Sequence, residues 1–226
     1  MNVLVFASRK GGSGKSTLAA HLAVHAAKPS KPTLLIDADP QGSLALWHDL
    51  RGREELTLKR GPRNLAEALC SAQQEGYAWA FVDTPPNKSS AVIEAIRHAT
   101  LLVIPTRPNL FDLAAVQDTI EIARELRKPY AVVINAAPAR RNDAEAAGVA
   151  DARASLEELK VPVWSGQITQ RADLALALRG GEGVKEFDPD SAAAYEMKQL
   201  WSAIDRSVKA IHGAYRTARG MHQAAA

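Results

Sequence analysis

Residues 3–17 read VLVFASRKGGSGKST, an apolar run of strand length followed by a glycine-rich turn and by residues that begin a helix. A strand that runs through such a turn into a helix is typical of a phosphate-binding site. Backbone N–H groups of the turn and of the helix N-terminus converge there on anionic oxygens. Glycine also allows backbone angles that a Cβ would forbid and lets a phosphate approach closely. The stretch therefore predicts nucleotide binding.

The phosphate loop, residues 9–17, departs from the common pattern G-x-x-x-x-G-K-[ST]. Arg9 stands where the first glycine is expected, and a lysine, Lys10, follows it. Further along, Lys15 adds a positive charge and Ser16 offers a hydroxyl to Mg²⁺. A turn that merely joins a strand to a helix is the alternative, and the lysine, serine and threonine after the glycines argue against it.

The composition limits the class of protein. With 226 residues, 46% hydrophobic and 23% charged, the chain is ordinary for one globular domain with a substantial core. The single cysteine, Cys70, excludes a disulfide framework and fits a reducing cytosol. No apolar run approaches the roughly 20 residues of a membrane span. The net charge of +3 permits contact with nucleic acid without demonstrating it.

Short apolar runs of strand length alternate with stretches that are typical of helices. The runs lie at 3–7, 33–36, 80–82, 101–104 and 131–134, and the helical stretches near 15–27, 64–74, 88–98, 111–126 and 143–159. This alternation predicts βαβ units. The expected fold is a single α/β domain with a central, mostly parallel, twisted sheet flanked by helices on both faces.

A final helical stretch, about 190–213, carries apolar residues at spacings of three and four, which indicates a core-facing stripe. After Gly213 this pattern is lost. We therefore expect a folded ATPase-type domain over 1–213 and a flexible tail over 214–226.

Carboxylates follow two of the predicted strands. Asp37 and Asp39 come after the run 33–36, and Asp83 comes after the run 80–82. In parallel sheets ligands bind beyond the carboxyl ends of the strands. Asp83 suits an outer-sphere hold on Mg²⁺, which keeps several waters in such sites. Asp37 or Asp39 could orient the water that attacks a γ-phosphate.

Together these motifs resemble those of the ParA family, deviant-Walker ATPases that partition plasmids and chromosomes. The resemblance spans nearly the whole chain. The motifs that carry it are the phosphate loop, DADPQGS at 37–43, DTPP at 83–86, PTRP at 105–108 with Asp112 and Leu113, and the segments 167–171 and 180–187. It is closest to the short ParA type, which begins at the first strand. The longer type carries an N-terminal helix-turn-helix that this chain lacks, so operator binding is not expected.

The resemblance implies a nucleotide site for ATP and Mg²⁺. The residues that would hold the nucleotide are Gly11, Gly12, Ser13, Gly14, Lys15, Ser16 and Thr17. Lys15 would bind the β- and γ-phosphates and Thr17 the α-phosphate. Ser16, Asp37 and Asp83 would form the metal site, while Asp39 would orient the attacking water.

The resemblance also implies an ATP-bound homodimer in which Lys10 reaches the partner's nucleotide, so the catalytic set would be Lys10, Lys15 and Asp39. A lysine delivered in trans acts as an arginine finger does elsewhere and makes catalysis conditional on assembly. The dimer would bind DNA without sequence preference. A ParB-like centromere-binding protein, or an adaptor for another cargo, would stimulate slow hydrolysis on a cytoplasmic, nucleoid-associated enzyme.

Four other residues give weaker signals. Asn135 follows the run 131–134 and could contact the adenine edge, although an asparagine that caps a turn fits equally well. His21 and His25 lie four apart on a predicted helix, a spacing that can bind metal. No third ligand is apparent, so packed or surface histidines are the favoured interpretation. Trp47 is expected to be a local packing anchor.

Basic residues of the last third are the candidates for DNA contact, namely Arg171, Arg179, Lys185, Arg206, Lys209, Arg216 and Arg219. For any one of them a solvated charged face is the favoured interpretation, so the expectation of DNA contact is a collective one. A dimer doubles the net charge and aligns two patches. Binding that weakens steeply with salt is then expected.

Other functions on this fold fit the sequence less well. Membrane positioning needs a basic amphipathic C-terminal helix, but residues 214–226 contain only Tyr215 and Met221 as larger apolar groups. ATP-dependent synthetases generally lack a lysine at position 10, and no substrate-carboxylate motif is visible. A ParA-like ATPase that positions a carboxysome, a chemotaxis cluster or a conjugation machine would share every residue above and stays open.

Overall fold

The computed structural model describes residues 1–142 and 144–224, with the backbone alone at positions 110, 111 and 218–224. Its centre is a six-stranded sheet in which every paired strand is parallel to its neighbour. The strands are β1 (Asn2–Phe6), β2 (Thr33–Asp37), β3 (Leu56–Arg60), β4 (Trp79–Asp83), β5 (Leu101–Thr106) and β6 (Tyr130–Ile134). Their order across the sheet is β3-β2-β4-β1-β5-β6.

Helices cover both faces of this sheet. They are α1 (Lys15–Ala26), α2 (Ser43–Arg51), α3 (Leu65–Gln74), α4 (Ser90–His98), α5 (Leu110–Glu125), α6 (Ala147–Glu158), α7 (Ala172–Arg179), α8 (Val184–Phe187) and α9 (Ala192–Ala224). Helices α1, α2, α7, α8 and α9 share one apolar cluster with the sheet, and α3, α4, α5 and α6 contribute to the other. The single α/β domain predicted from the sequence is confirmed.

Burial on both faces explains why the strands are short apolar runs without polar alternation. In β1, Leu4 and Phe6 belong to one cluster, whereas Val3 and Val5 belong to the other. All five residues of β2 and of β4 are buried. A polar residue in these strands would lose its water on either face, so such residues are confined to the strand ends.

Four elements were not among the predicted strands and helices. Strand β3 lies at the edge of the sheet, carries Lys59 and Arg60, and is only partly buried, so its sequence LTLKR has no continuous apolar run. Helix α2 exposes Leu46 and Leu50, which removes the usual contrast between an apolar and a polar face. Helices α7 and α8 have only 8 and 4 residues, too few to show a helical period.

Helix α9 packs its predicted apolar stripe against the first face of the sheet. Met197, Leu200, Ile204 and Val208 are buried there, and Trp201 lies edge-on to Trp79 with ring centroids 4.9 Å apart. The helix is longer than the predicted 190–213, because it continues through Gly213 to Ala224. The division of the chain into a domain over 1–213 and a flexible tail stays a prediction. Over the described ranges, 1–142 and 144–224, no helix is both long and apolar enough to cross a membrane.

Candidate functional site

The phosphate loop and the acidic residues meet at one edge of the sheet. Strand β4 lies between β1 and β2, and its last residue, Asp83, is in register with Phe6 on one side and Asp37 on the other. Neighbouring strands are about 4.8 Å apart, so the loop that follows Phe6 begins beside Asp83, and Asp37 lies one strand further away, at about 10 Å. The convergence predicted from the sequence is therefore present in the structure.

Glycines give the phosphate loop its shape. Gly12 and Gly14 have φ values of 72° and 101°, a region that side chains with a Cβ rarely adopt. Asn135 fixes the loop from behind, because its Nδ2 donates a hydrogen bond of 2.7 Å to the Ser13 carbonyl oxygen. A Cβ on Gly14 would lie 2.0 Å from that nitrogen, so only glycine fits at this position.

Helix α1 begins immediately after the loop and presents its N-terminus to the site. Its N-cap is Gly14, and no side chain caps the first N–H groups of the helix. Uncapped N–H groups and the helix dipole favour an anion at this point. Ser16 and Thr17 lie in the first turn and are half-buried, so their hydroxyls face the same region.

Lys15 and Asp83 are both buried beside the loop and influence each other's charge. Lys15 is 6% exposed, and its Nζ lies 3.5 Å from the Lys10 carbonyl oxygen. Burial lowers the pKa of the Lys15 ammonium, against the attraction of Asp83 and Asp39, which raises it. The site thus holds a desolvated cation that gains from an incoming phosphate.

Asp83 is wholly buried, and within residues 1–142 and 144–224 neither of its carboxylate oxygens accepts a hydrogen bond of 3.5 Å or less. Burial raises the pKa of the Asp83 carboxyl to about 7; the nearby Ser16 hydroxyl and the Lys15 ammonium lower it, and the Asp37 and Asp39 carboxylates raise it further. A buried acceptor without partners is rare in folded proteins and indicates a ligand that supplies donors or positive charge. The hydrated Mg²⁺ ion predicted from the sequence would do both.

Asp37 and Asp39 have different surroundings. Both oxygens of Asp37 accept backbone hydrogen bonds, Oδ1 from Asp39 N at 3.1 Å and Oδ2 from Ala45 N at 2.8 Å. Asp37 therefore holds the acidic turn and the start of α2 in place, while burial raises its pKa. Asp39 is half-buried and lines the cavity above the loop, so it is the carboxylate that faces the nucleotide region.

The start of the loop is held from the outside. Arg9 forms an ion pair with Asp118 on α5, which explains how a residue other than glycine is accommodated there. Lys10 is exposed, and it lines neither of the two cavities that border the loop. In the described ranges its ammonium has no acidic partner within 4.0 Å.

Two cavities border the phosphate loop. The phosphate cavity, about 680 Å³, contains Gly11, Gly12, Gly14, Lys15, Ser16, Thr17 and Asp39 in its lining. The second cavity, about 920 Å³, adds Asn135, Pro138, Thr169 and Gln170. The two cavities share lining residues and so form one cleft, with Asp39 in the wall of the first part and Asn135 and Gln170 in the wall of the second. Such a cleft suits a nucleotide whose phosphates lie on the loop.

The sequence analysis did not assign a role to Arg107, which lines both cavities. Its position directly after β5 was visible in the sequence, because residues at the carboxyl ends of parallel strands face the ligand edge. Arg179, predicted to contact DNA, also lines the phosphate cavity. Asn135 holds the loop through its Nδ2, and its predicted contact with adenine stays a prediction.

The other basic candidates occupy separate places. Arg171 donates to Glu196, and Lys209 to Asp205 on its own helix. Lys185 is exposed on α8, whereas Arg206 and Arg216 are exposed on α9, about 15 Å apart along the helix. The side chain of Arg219 lies outside the described residues. Their role in DNA contact stays a prediction.

The two histidines of α1 are packed, as the sequence favoured. Val184 N donates to His21 Nδ1 at 3.0 Å, so the ring proton is on Nε2, which lies 3.2 Å from the Leu174 carbonyl oxygen. Burial lowers the pKa values of His21 and His25 to about 4. Trp47 is buried and donates to the Glu182 carbonyl oxygen, which confirms it as a packing anchor.

A parallel sheet whose central strand enters a glycine-rich loop, with a buried lysine opposite an acidic strand end, defines a P-loop nucleotide-binding protein. Residues 4–184 match the CbiA family, the CobQ/CobB/MinD/ParA nucleotide binding domain, so the chain belongs to that family. The resemblance to ParA ATPases predicted from the sequence is confirmed.

Relatives of two kinds are similar to this chain. Maintenance of carboxysome distribution protein A of Gloeobacter kilaueensis is 40% identical over 126 residues, or 54% of this chain and 56% of that protein. The chain thus matches little more than half of this relative. Protein ParA of Rhizobium radiobacter is 29% identical over 214 residues, or 89% of this chain and 95% of that protein.

Solved structures share the fold. A variant of McdA from Cyanothece in complex with ATP superposes with a TM-score of 0.71 at 20% identity, covering 94% of this chain and 96% of McdA.

Proposed function

We propose that this chain is a Mg²⁺-dependent ATPase that pairs on binding ATP, binds DNA without sequence preference and uses slow hydrolysis to partition DNA. The observation that carries the catalytic part is the buried Asp83 carboxylate, unpartnered within the described ranges, beside Lys15 and the uncapped start of α1. A cationic group and a carboxyl group are thus buried together beside a loop whose geometry suits phosphates. It suits a nucleotide that brings its own metal ion.

The residues present fit Mg²⁺. In the described part of the chain no three side chains of His, Cys, Asp or Glu converge into a ready-made metal cage. Mg²⁺ in phosphate-transfer sites instead uses one or two protein ligands together with phosphate oxygens and waters. Ser16 would hold the ion directly, and Asp83 would accept from its water shell. Bound there, the ion would neutralise charge on the phosphates and polarise the γ-phosphoryl group.

The remaining catalytic roles follow from where the side chains lie. Lys15 supplies the desolvated cation for the β- and γ-phosphates, and Asp39 lies in the cavity wall where it can orient water. Asp37 acts indirectly, because its oxygens hold the backbone of the Asp39 turn and of α2.

Pairing of two chains is supported by the surface around the phosphate cavity. Lys10 is exposed and does not belong to the lining of its own chain's phosphate cavity, so it is available to meet the nucleotide of a partner. Leu46 and Leu50, on the rim of the cavity, are 63% and 53% exposed, and Leu176 on α7 is 44% exposed. Exposed leucines around a charged cleft are a common sign of an interface.

Two cargoes are consistent with the relatives. A partition role, with a ParB-like partner on a nucleoid-bound dimer, is supported by the similarity to protein ParA over most of both chains. Positioning of a protein assembly is the second candidate, since a carboxysome-distribution protein is 40% identical over about half of this chain. Both use the same ATP cycle, and they differ in the protein that stimulates hydrolysis.

The test of the catalytic proposal is nucleotide binding and phosphate release by the purified chain. We expect ATP to bind with an affinity that falls when Mg²⁺ is removed with EDTA, and we expect DNA retention only with ATP and at low salt. Lys15→Ala should lose nucleotide binding, whereas Lys28→Ala, at an exposed lysine after α1, should keep it. Equal ATP binding by wild type and Lys15→Ala would refute the assignment of this site.

A further inference from the structure

The side chain of Arg107 lies against the phosphate loop of its own chain. It directly follows β5, the strand next to β1 on the side away from Asp83. A Cβ built on Gly12 would lie 3.3 Å from Nη2 and 3.9 Å from Cζ of Arg107. The guanidinium therefore covers the loop at the residue whose φ of 72° already requires glycine. A small residue at position 12 is what allows this approach.

The charge of Arg107 is not neutralised by the protein. Within 1–142 and 144–224 no carboxylate lies within 4.0 Å of its guanidinium, whereas Arg9 nearby is paired with Asp118. The acidic residues of the site follow β2 and β4, on the opposite flank of the loop. Arg107 thus adds a guanidinium next to Gly12 to the N–H donors of the loop itself. Two sets of donors so close together favour an anion between them.

The two cavities show where that anion would lie. The phosphate cavity includes Ser16 and Asp39, and the second cavity includes Asn135 and Thr169. The residues common to both cavities are Gly12, Gly14, Thr17, Arg107, Ala175 and Leu178. A nucleotide with its metal end in the first cavity and its nucleoside in the second must pass its phosphate chain along these shared residues. Arg107 is the charged member of that set.

We propose that Arg107 binds the phosphate chain of the nucleotide in cis, on the flank of the loop opposite the metal site. This inference rests on the proposed nucleotide site. It adds to that site a cation that lies outside the phosphate loop, residues 9–17. A guanidinium offers two parallel N–H donors to phosphate oxygens and stays charged at all working pH values. Because Arg107 and Asp83 lie on different sides of the loop, its contribution should not depend on Mg²⁺.

The experiment measures the affinity of the full chain for ADP and for a non-hydrolysable ATP analogue, each with Mg²⁺ and with EDTA. Arg107→Ala should weaken binding about 10- to 100-fold, as expected for loss of a hydrogen bond to a charged group, and by the same factor in both conditions. Arg107→Lys should recover part of the affinity, because it keeps the charge without the fork. The matched control is Arg97→Ala, an exposed arginine in the last turn of α4.

Each outcome decides a different point. If Arg107→Ala and Arg97→Ala both bind like wild type while Lys15→Ala does not, the inference on Arg107 is refuted and the nucleotide site stands. A loss seen only with Mg²⁺ also refutes it, because Arg107 would then act through the metal. Failure of the wild type to bind either nucleotide refutes the proposed function itself. Should Arg107→Ala unfold, as judged by its circular dichroism, Arg107→Lys and Arg107→Gln carry the same comparison.

Discussion

Replacing Asp83 by asparagine should stabilise the nucleotide-free protein. Burial raises the pKa of Asp83 from 3.8 to about 7, so the ionised form is disfavoured in the folded chain relative to the unfolded chain. Because the folded-state pKa is the higher one, the protonated carboxyl favours folding. This contribution to the free energy of unfolding is complete below about pH 4 and is lost as the pH rises towards 7. Each unit corresponds to about 1.36 kcal/mol, which gives a cost of about 4 kcal/mol at pH 8 and under 2 kcal/mol at pH 5.

Asparagine removes the charge and, like the protonated carboxyl of the wild type, is a neutral polar group buried at the same place, so the desolvation costs of about 1–3 kcal/mol for these two groups nearly cancel. The expected gain for Asp83→Asn is therefore about 4 kcal/mol at pH 8 and under about 2 kcal/mol at pH 5. For a chain of this size the gain at pH 8 corresponds to a rise in melting temperature of about 8–16 °C.

The assay is thermal and urea denaturation in EDTA at both pH values, with Asp151→Asn, an exposed aspartate of α6, as the matched control. Adding ATP and Mg²⁺ should reverse the order, because wild type gains binding energy that Asp83→Asn lacks. If Asp83→Asn is equally or less stable than wild type at pH 8 without nucleotide, the buried carboxylate is not an unmet charge and the reasoning fails.

Three further predictions concern the loop and its support. Lys15→Ala should abolish nucleotide binding in titration calorimetry, whereas Lys10→Ala should keep binding and lose ATP-dependent pairing and hydrolysis; equal loss of affinity in both would contradict a role in trans. His21 has a pKa lowered to about 4, so protonation favours the unfolded chain, and stability is lost as the pH falls from about 6.5 towards 4. In urea titrations, the free energy of unfolding of wild type should fall by about 2 kcal/mol relative to that of His21→Leu between pH 7.5 and pH 5. A difference that stays constant over this range would show that His21 is not neutral in the fold. Gly183→Ala should cost about 1–3 kcal/mol, since its Cβ would lie 2.9 Å from the Val24 Cβ, and Val24→Ala in the same chain should recover part of that loss; additive effects in the double variant would exclude this clash.

The parts of the fold that the sequence predicted are those in which local pattern and burial agree. The five predicted strands, β1, β2, β4, β5 and β6, are short apolar runs because both faces of the sheet are covered, and the loop glycines mark positive φ angles. Strand β3 escaped prediction because an edge strand is half exposed and tolerates Lys59 and Arg60. Helix α2 escaped because Leu46 and Leu50 are exposed at the cavity rim, so its apolar residues do not form a single buried face.

The site residues that could be predicted are those whose type and motif indicate a chemical role. Residues whose role depends on contacts between distant parts of the chain could not be predicted. The loop lysine, its serine and the acidic strand ends carry recognisable motifs. In contrast, the hydrogen bond from Asn135 to the Ser13 carbonyl joins residues 122 positions apart, and the approach of Arg107 to Gly12 depends on which strands are neighbours. The pairing of Arg171 with Glu196 likewise became visible only once α7 and α9 were placed.

The most direct test of the central claim, that ATP occupies this site and thereby joins two chains, is the mass of the protein in solution with each nucleotide. Light scattering after size-exclusion chromatography should give a monomer with ADP and a dimer with a non-hydrolysable ATP analogue and Mg²⁺. Lys10→Ala should remain monomeric with both nucleotides. A wild-type protein that binds the ATP analogue and stays monomeric would contradict the account.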